Sequence, residues 1–230
     1  MSTEQTRSRL LDAAETLFIE HGLEGTSLRA ITSAANANLA AVNYHFQSKE
    51  GLIEAVFDRR IKPLNRERIR RLDEAARAAA PAPAELEQIL GAFLAPALQL
   101  RASQDPGEAN FLRLLGRVFS DPGDIKVVVL GQFRPTAQRF VAALTQALPD
   151  VPRPELLWRL HFLIGSLAHA TAAGELIRLM SGGDCDPDDA EGILHHLTIY
   201  AAAGFRASHP QSAPQKVSRE IGRASCRERV

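Results

Sequence analysis

Apolar positions recur at helical spacing along most of this 230-residue chain. Leu10, Ala13, Ala14, Leu17 and Phe18 mark one face of a first helix that ends near His21 and Gly22. Leu28, Ile31, Ala34 and Ala35 mark a second, with Thr26 or Ser27 as its cap. Asn38 can cap a third, Leu39 to Phe46, whose Val42 and Phe46 are four apart and share a face. Ser48 with Lys49 and Glu50 opens a fourth, which runs into RERIRRLDEAARAA and meets Pro63, where a kink or break is expected.

Further helices follow with clear punctuation. The run APAPAEL is a linker, after which Leu86, Ile89, Leu90, Phe93, Leu94 and Ala97 form a stripe with a kink expected at Pro96. Glu108 to Ser120 is another helix, and Asp121-Pro122-Gly123-Asp124 a turn. A pattern over residues 125–148 is interrupted at Pro135. A long helix from Glu155 to Met180 stops at Gly182-Gly183, and Asp186 with Pro187 would open a last helix ending near Phe205. There is no convincing strand pattern, internal repeat or glycine-rich phosphate loop, so the fold class is all-α.

The stretch Thr26 to Lys49 carries the most chemistry. Two short helices joined by a tight turn are what a helix-turn-helix needs to lay one helix in the DNA major groove. The turn needs a residue at positive φ, and Asn36 tolerates it best after glycine. With Val42 and Phe46 turned inward, Leu39, Ala40, Asn43 and Tyr44 are left outside. A helix start carrying Lys49 suits a phosphate oxygen. An ordinary helical hairpin without a ligand would show the same periodicity.

Two segments decide between these. LLDAAETLFIEHGLEGTSLRAI followed by NYHFQSKEGLIEAVF, within Arg7–Phe57, resembles the DNA-binding domain of TetR-family transcriptional regulators. In this chain Asn43 starts the aromatic-His-Phe run and Asn36 stands at the usual turn glycine. The resemblance implies a helix-turn-helix domain over 1–55, a helical ligand-binding and dimerisation domain over 56–207, and a disordered tail over 208–230. It also implies a homodimer on palindromic double-stranded DNA, a repressor released by an effector. Asn38, Leu39, Ala40 and Asn43 would then face base edges, since Asn reads adenine and small apolar groups pack on a thymine methyl. Thr26, Ser27, Tyr44, His45 and Lys49 would sit at the backbone.

LAAVNYHF, FLRLLGRVFSDP and ELLWRLHFLIGSLAHA resemble the fatty-acid-responsive PsrA-type subgroup. That resemblance implies a hydrophobic small-molecule effector, a long-chain fatty acid or acyl-CoA, held by Phe111, Leu115, Phe119, Trp158 and Phe162, with Arg113 and His161 as candidate head-group partners. A sensor of multiple drugs or aromatic compounds is the alternative within the family. A helical small-molecule binder without DNA affinity is the alternative outside it. Gly165, Ala168, Ala172 and Glu175, with Leu194, Leu197, Thr198, Ala201 and Phe205, form two stripes that suit a four-helix dimer interface.

Composition adds limits. Formal net charge is zero, so DNA affinity has to come from placed contacts and two copies of the domain. No run approaches the ~20 apolar residues of a membrane span, and MSTEQTRSRLL has no signal-peptide core, so a cytoplasmic protein without a membrane partner is expected. Glu220 with Ile221–Val230, EIGRASCRERV, resembles the translation of a sequencing adapter, so 221–230 is set aside as an expected artefact. Cys185 is then the remaining cysteine, which fits a reducing compartment. His195 and His196 point ~100° apart on a helix, so neither a metal nor a cofactor is expected there. With no G-x-S-x-G or other nucleophile setting, an enzyme is not expected.

Overall fold

The computed structural model describes residues 3–103, 105–120 and 125–208. Eleven helices make up the regular structure of these residues. They are α1 (Thr3–Gly25), α2 (Leu28–Ala34), α3 (Leu39–Phe46), α4 (Lys49–Ala79), α5 (Leu86–Arg101), α6 (Pro106–Ser120), α7 (Ile125–Gly131), α8 (Arg134–Ala147), α9 (Arg153–Ala172), α10 (Gly174–Met180) and α11 (Ala190–Arg206). The expected turn at 121–124 and the tail from residue 209 lie outside the described residues.

Helices α1 to α3 and the start of α4 form a small head. Its core is Leu10, Ala14, Phe18, Ile31, Val42, Phe46, Leu52 and Val56. Ala34, expected on the inner face of α2, is exposed because Ile31 and Ala35 fill that side. The α1 backbone departs from helix at Gly22, φ 78° and ψ 169°, a conformation that a side chain would strain.

Around α5 the body is assembled. This helix is buried on nearly every side, through Leu86, Ile89, Leu90, Phe93, Leu94 and Leu98 among others, and packs against α4, α6, α8, α9 and α11. Helix α4 joins head to body in one piece. It continues through Pro63, so the break expected there does not occur, and the expected domain boundary at residue 55/56 falls inside a continuous helix. Helix α5 likewise passes through Pro96.

Three expectations are corrected in the second half. The long pattern over 125–148 is two helices, and Pro135 sits in the first turn of α8, where its missing N–H costs nothing. The helix expected over 155–180 breaks at Ala173 into α9 and α10, bent by 78°. Gly174 stands at this break, and Arg101 of α5 caps the end of α9: Nη1 donates to the carbonyls of Ala170 at 2.6 Å and Thr171 at 3.0 Å. Finally, Asp189 rather than Asp186 caps α11, accepting from the Gly192 N–H at 2.9 Å, while Asp186 accepts from Asp188 N–H. No single helix among the described residues is long and apolar enough to cross a membrane.

Candidate nucleic-acid interface and effector body

The turn between α2 and α3 is built by two asparagines. Asn36 adopts φ 46°, which lets the Ala37 N–H reach back to the Thr32 carbonyl at 2.9 Å. Asn38 then caps α3, its Oδ1 accepting from the Ala41 N–H at 2.9 Å. Val42 and Phe46 anchor α3 in the core. At its end Gln47 takes φ 68°, and Ser48 caps α4 by accepting from the Gly51 N–H. Gly51 is required here: a Cβ at that position would lie 2.1 Å from the Phe46 carbonyl oxygen.

This anchoring leaves one face of α3 open. Leu39 (47% exposed), Ala40, Asn43 and Tyr44 (77% exposed) all lie on it. Asn38 is exposed too, but its oxygen is committed to the cap, leaving the amide N–H groups for a ligand. His45 is half-buried between the rings of Tyr44 and Phe46, with centroids at 5.0 and 5.8 Å. Ser27 is exposed, and its hydroxyl caps α2. Lys49 begins α4 and donates to the Glu24 carbonyl at 3.3 Å.

Thr26 does not fit a backbone-contacting role. It is 2% exposed, and its hydroxyl donates to the carbonyl of Gly22 at 2.8 Å, with that of Leu17 at 3.1 Å. The side chain ties α1 to the start of α2 and faces away from any ligand. Arg29, by contrast, is exposed on α2 and was passed over in the sequence, where a helical arginine reads as ordinary solvated charge. In helix-turn-helix proteins the first helix of the pair crosses the DNA backbone, which makes Arg29 on α2 a candidate contact.

Residues 10–56 match the family described as "Bacterial regulatory proteins, tetR family", and residues 91–204 match the "Tetracyclin repressor-like, C-terminal domain". The chain belongs to the TetR family. It is thus a DNA-binding transcriptional regulator, in a family of regulators and not of enzymes. The probable HTH-type transcriptional regulator YttP of Bacillus subtilis is 39% identical over 49 residues, 21% of this chain and 24% of the relative, so the match spans about a quarter of that protein. Two solved structures share the fold over nearly the whole chain. FadR of Bacillus subtilis, in complex with stearoyl-CoA, has a TM-score of 0.64 at 12% identity, covering 86% of this chain and 98% of that one. NalD, the secondary repressor of a multidrug efflux pump in Pseudomonas aeruginosa, has 0.61 at 23%, covering 88% and 98%.

In this TetR protein the head is tied to the body by ion pairs along α4. Glu15 of α1 is buried, and Arg59 and Arg60 of α4 both donate to it. Arg59 also donates to Asp12. Arg60 reaches the other way as well, to Asp105 just before α6, at 3.2 Å. Asp105 in turn accepts from the Gly107 N–H at 2.9 Å, the first turn of α6. That N–H, and then Arg60, hold the Asp105 carboxyl below its ordinary range. A second contact joins the residue after α7 to α4: Gln132 donates to the Glu54 carbonyl and accepts from Asn65 on its own carbonyl.

The residues expected to line an effector pocket divide into three groups. Phe111 is buried and packs edge-on against Phe57 of α4 at 6.3 Å, and Leu115 is half-buried against the same core. The side chains of Arg113 and Phe119 lie outside the described residues, although their backbone belongs to α6. Trp158, His161 and Phe162 do not line an interior. Trp158 stacks on Phe162, with His161 edge-on to Trp158, on the outer side of α9, Trp158 59% and Phe162 62% exposed, because Leu156, Arg159, Leu160, Leu163 and Leu167 turn inward. Arg159 is likewise committed, capping the end of α11 at the carbonyls of Phe205 and Ala207.

The same exposure redraws the expected dimer stripe. Ala201 and Phe205 are buried against the body core, so they belong inside the subunit. The large apolar side chains left open here are Leu157, Trp158 and Phe162 on α9, Leu176, Ile177, Leu179 and Met180 on α10, and Ile199 and Tyr200 (70% exposed) on α11. Gly165 and Ala172 lie exposed on α9 as expected. Beside this face is a groove of about 630 Å³ lined by His169, Ile177, Asp186, His196 and Tyr200.

One polar residue inside the body escaped the sequence reading. Arg68 of α4 is 4% exposed, and its Nε donates to the Phe93 carbonyl at 2.9 Å while its guanidinium lies 4.1 Å from the Phe93 ring. Burial pushes it down to about 9. The signal was present: Ile61, Leu64, Arg68 and Leu72 are spaced by three, four and four, which puts the arginine in an apolar stripe.

Proposed function

We propose that this protein is a homodimeric repressor that holds a palindromic operator with two α3 helices and releases it when a hydrophobic effector, a long-chain fatty acid or acyl-CoA, enters the body. The observation that carries the DNA reading is the open face of α3, Leu39, Ala40, Asn43 and Tyr44, on a helix fixed by its Asn38 cap and by Val42 and Phe46. Asn43 reads a base edge, Leu39 and Ala40 pack on thymine methyls, and Tyr44, Lys49 and Arg29 hold the backbone. Residues 1–55 serve as the reading head, and 56–207 as the sensing and dimerising body.

The exposed rings of Trp158, Phe162 and Tyr200 support pairing of two subunits through α9 and α11, since apolar faces of this kind rarely stay open in solution. An acyl effector is supported by the Bacillus fold relative that was solved with stearoyl-CoA and by the sequence likeness to PsrA-type regulators. The NalD likeness favours a multidrug sensor as the second reading. Release works through α6 in either case: an occupant that shifts α6 pulls Asp105, and Arg60 passes the movement to Glu15 of α1. The rod-like α4 carries it to both heads, which then fail to match successive grooves.

Titrating the protein–operator complex with dodecanoate, palmitate and palmitoyl-CoA tests this, alongside native mass spectrometry of protein taken from cells. Release by acyl compounds with a co-purified acyl chain is expected. Release by cationic or aromatic drugs instead would favour the second reading.

A further inference from the structure

We infer that Arg68 is the counter-ion for an anionic head group, so that the body takes a carboxylate- or phosphate-bearing amphiphile in preference to neutral or cationic apolar compounds. This rests on the effector reading above and assigns its head group to one residue.

Arg68 and Arg159 are the buried arginines among the described residues. Arg159 pairs with Glu155 at 3.0 Å and caps a helix with its other nitrogens. Arg68 pairs with no carboxylate among the described residues. Removing a guanidinium from water costs several kcal/mol, and the usual compensation is an acid close by. The Phe93 carbonyl and ring offset part of that cost but leave the positive charge unbalanced. Packing does not require it either, since a methionine would fill an apolar stripe between Leu64 and Leu72 without desolvating a charge.

The carbonyl contact explains one nitrogen. Nε is used on the Phe93 carbonyl of α5. It leaves the two terminal amino groups, whose parallel N–H bonds match the two oxygens of a carboxylate or phosphate. The surroundings are otherwise apolar: Phe93 packs edge-on against Phe140 at 5.1 Å. A charged, forked donor set against aromatic walls is the recognition chemistry of an amphiphile with an anionic end.

Calorimetric titration of lipid-free protein with dodecanoate, dodecyl phosphate and 1-dodecanol tests the assignment, first in wild type and then in Arg68→Met and Arg68→Lys. Wild type is expected to bind at least one of the two anions about tenfold or more tightly than the alcohol. The tighter of the two tells carboxylate from phosphate. Arg68→Met should lose the preference and keep alcohol affinity within about twofold, with Arg68→Lys in between. Equal binding of anion and alcohol by wild type overturns the counter-ion assignment while the effector reading stands, as does an intact preference in Arg68→Met. Failure of all three compounds to bind wild type overturns the acyl-effector reading itself. Equal binding by wild type decides against the assignment even if a variant fails to fold.

Discussion

Arg60 donates to Asp105 at 3.2 Å, joining the start of α6 to the helix that carries the reading head. The same guanidinium lies 3.4 Å from Glu15 of α1, so one side chain touches both parts of the molecule. Replacing Asp105 by Asn should leave operator affinity within about twofold but weaken the effect of dodecanoate on DNA release, raising the midpoint roughly fivefold. Fluorescence anisotropy of labelled operator measures both. The pH dependence follows from the sign of the shift. Asp105 is held below its ordinary value, so its contribution is present above that value and is lost only as pH falls below it. The stability difference between wild type and Asp105→Asn should therefore stay constant from about pH 5 to pH 8 in thermal melts.

Thr26 and Lys49 separate a structural from an electrostatic role. Thr26→Val should lower unfolding stability by ~1 kcal/mol, through the carbonyl left without its donor, and leave the salt slope of DNA binding unchanged. Lys49→Gln should do the reverse, lowering the slope by about one with little change in melting temperature. Parallel denaturation and salt-dependent binding curves check the pair.

Phe162 stands in the open face of α9, 62% exposed. Phe162→Asp should shift the protein from dimer to monomer in sedimentation velocity at micromolar concentration while its helical circular dichroism stays unchanged. Operator affinity should fall with it, because two linked heads bind far more tightly than one.

Asn43→Ala should cost about 1–3 kcal/mol on the operator and much less on random DNA. Equal losses on both would remove Asn43 from base reading.

The head was the most legible part of the sequence because its determinants are local. Asn36, Asn38 and Ser48 act on backbone within four residues, and Val42 and Phe46 share a face by spacing alone. Thr26 was misread because its partners are carbonyls four and nine residues back, which a capping rule does not anticipate. The break between α9 and α10 falls at Gly174, a weak local signal inside apolar spacing that runs on to Leu176 and Leu179, and the Arg101 contacts that cap α9 come from about 70 residues away. Helix α9 is apolar on two sides, Leu156, Leu160 and Leu163 on one and Leu157, Trp158 and Phe162 on the other. Periodicity cannot say which side meets the core, and the aromatic rings were assigned to the wrong one. Arg68 was hidden by its neighbours, since a run as charged as RERIRRLDE reads as a solvated face.

The most direct measurement is selection of bound sequences from a random double-stranded DNA pool by the purified full chain. Enrichment of a palindrome, with half-sites centred about one helical turn or a multiple of it apart, is the expected result. Its loss on substituting Asn43 would tie that palindrome to α3. Recovery of no sequence above the random background, at low as well as physiological salt, would contradict the operator-reading role assigned to this face.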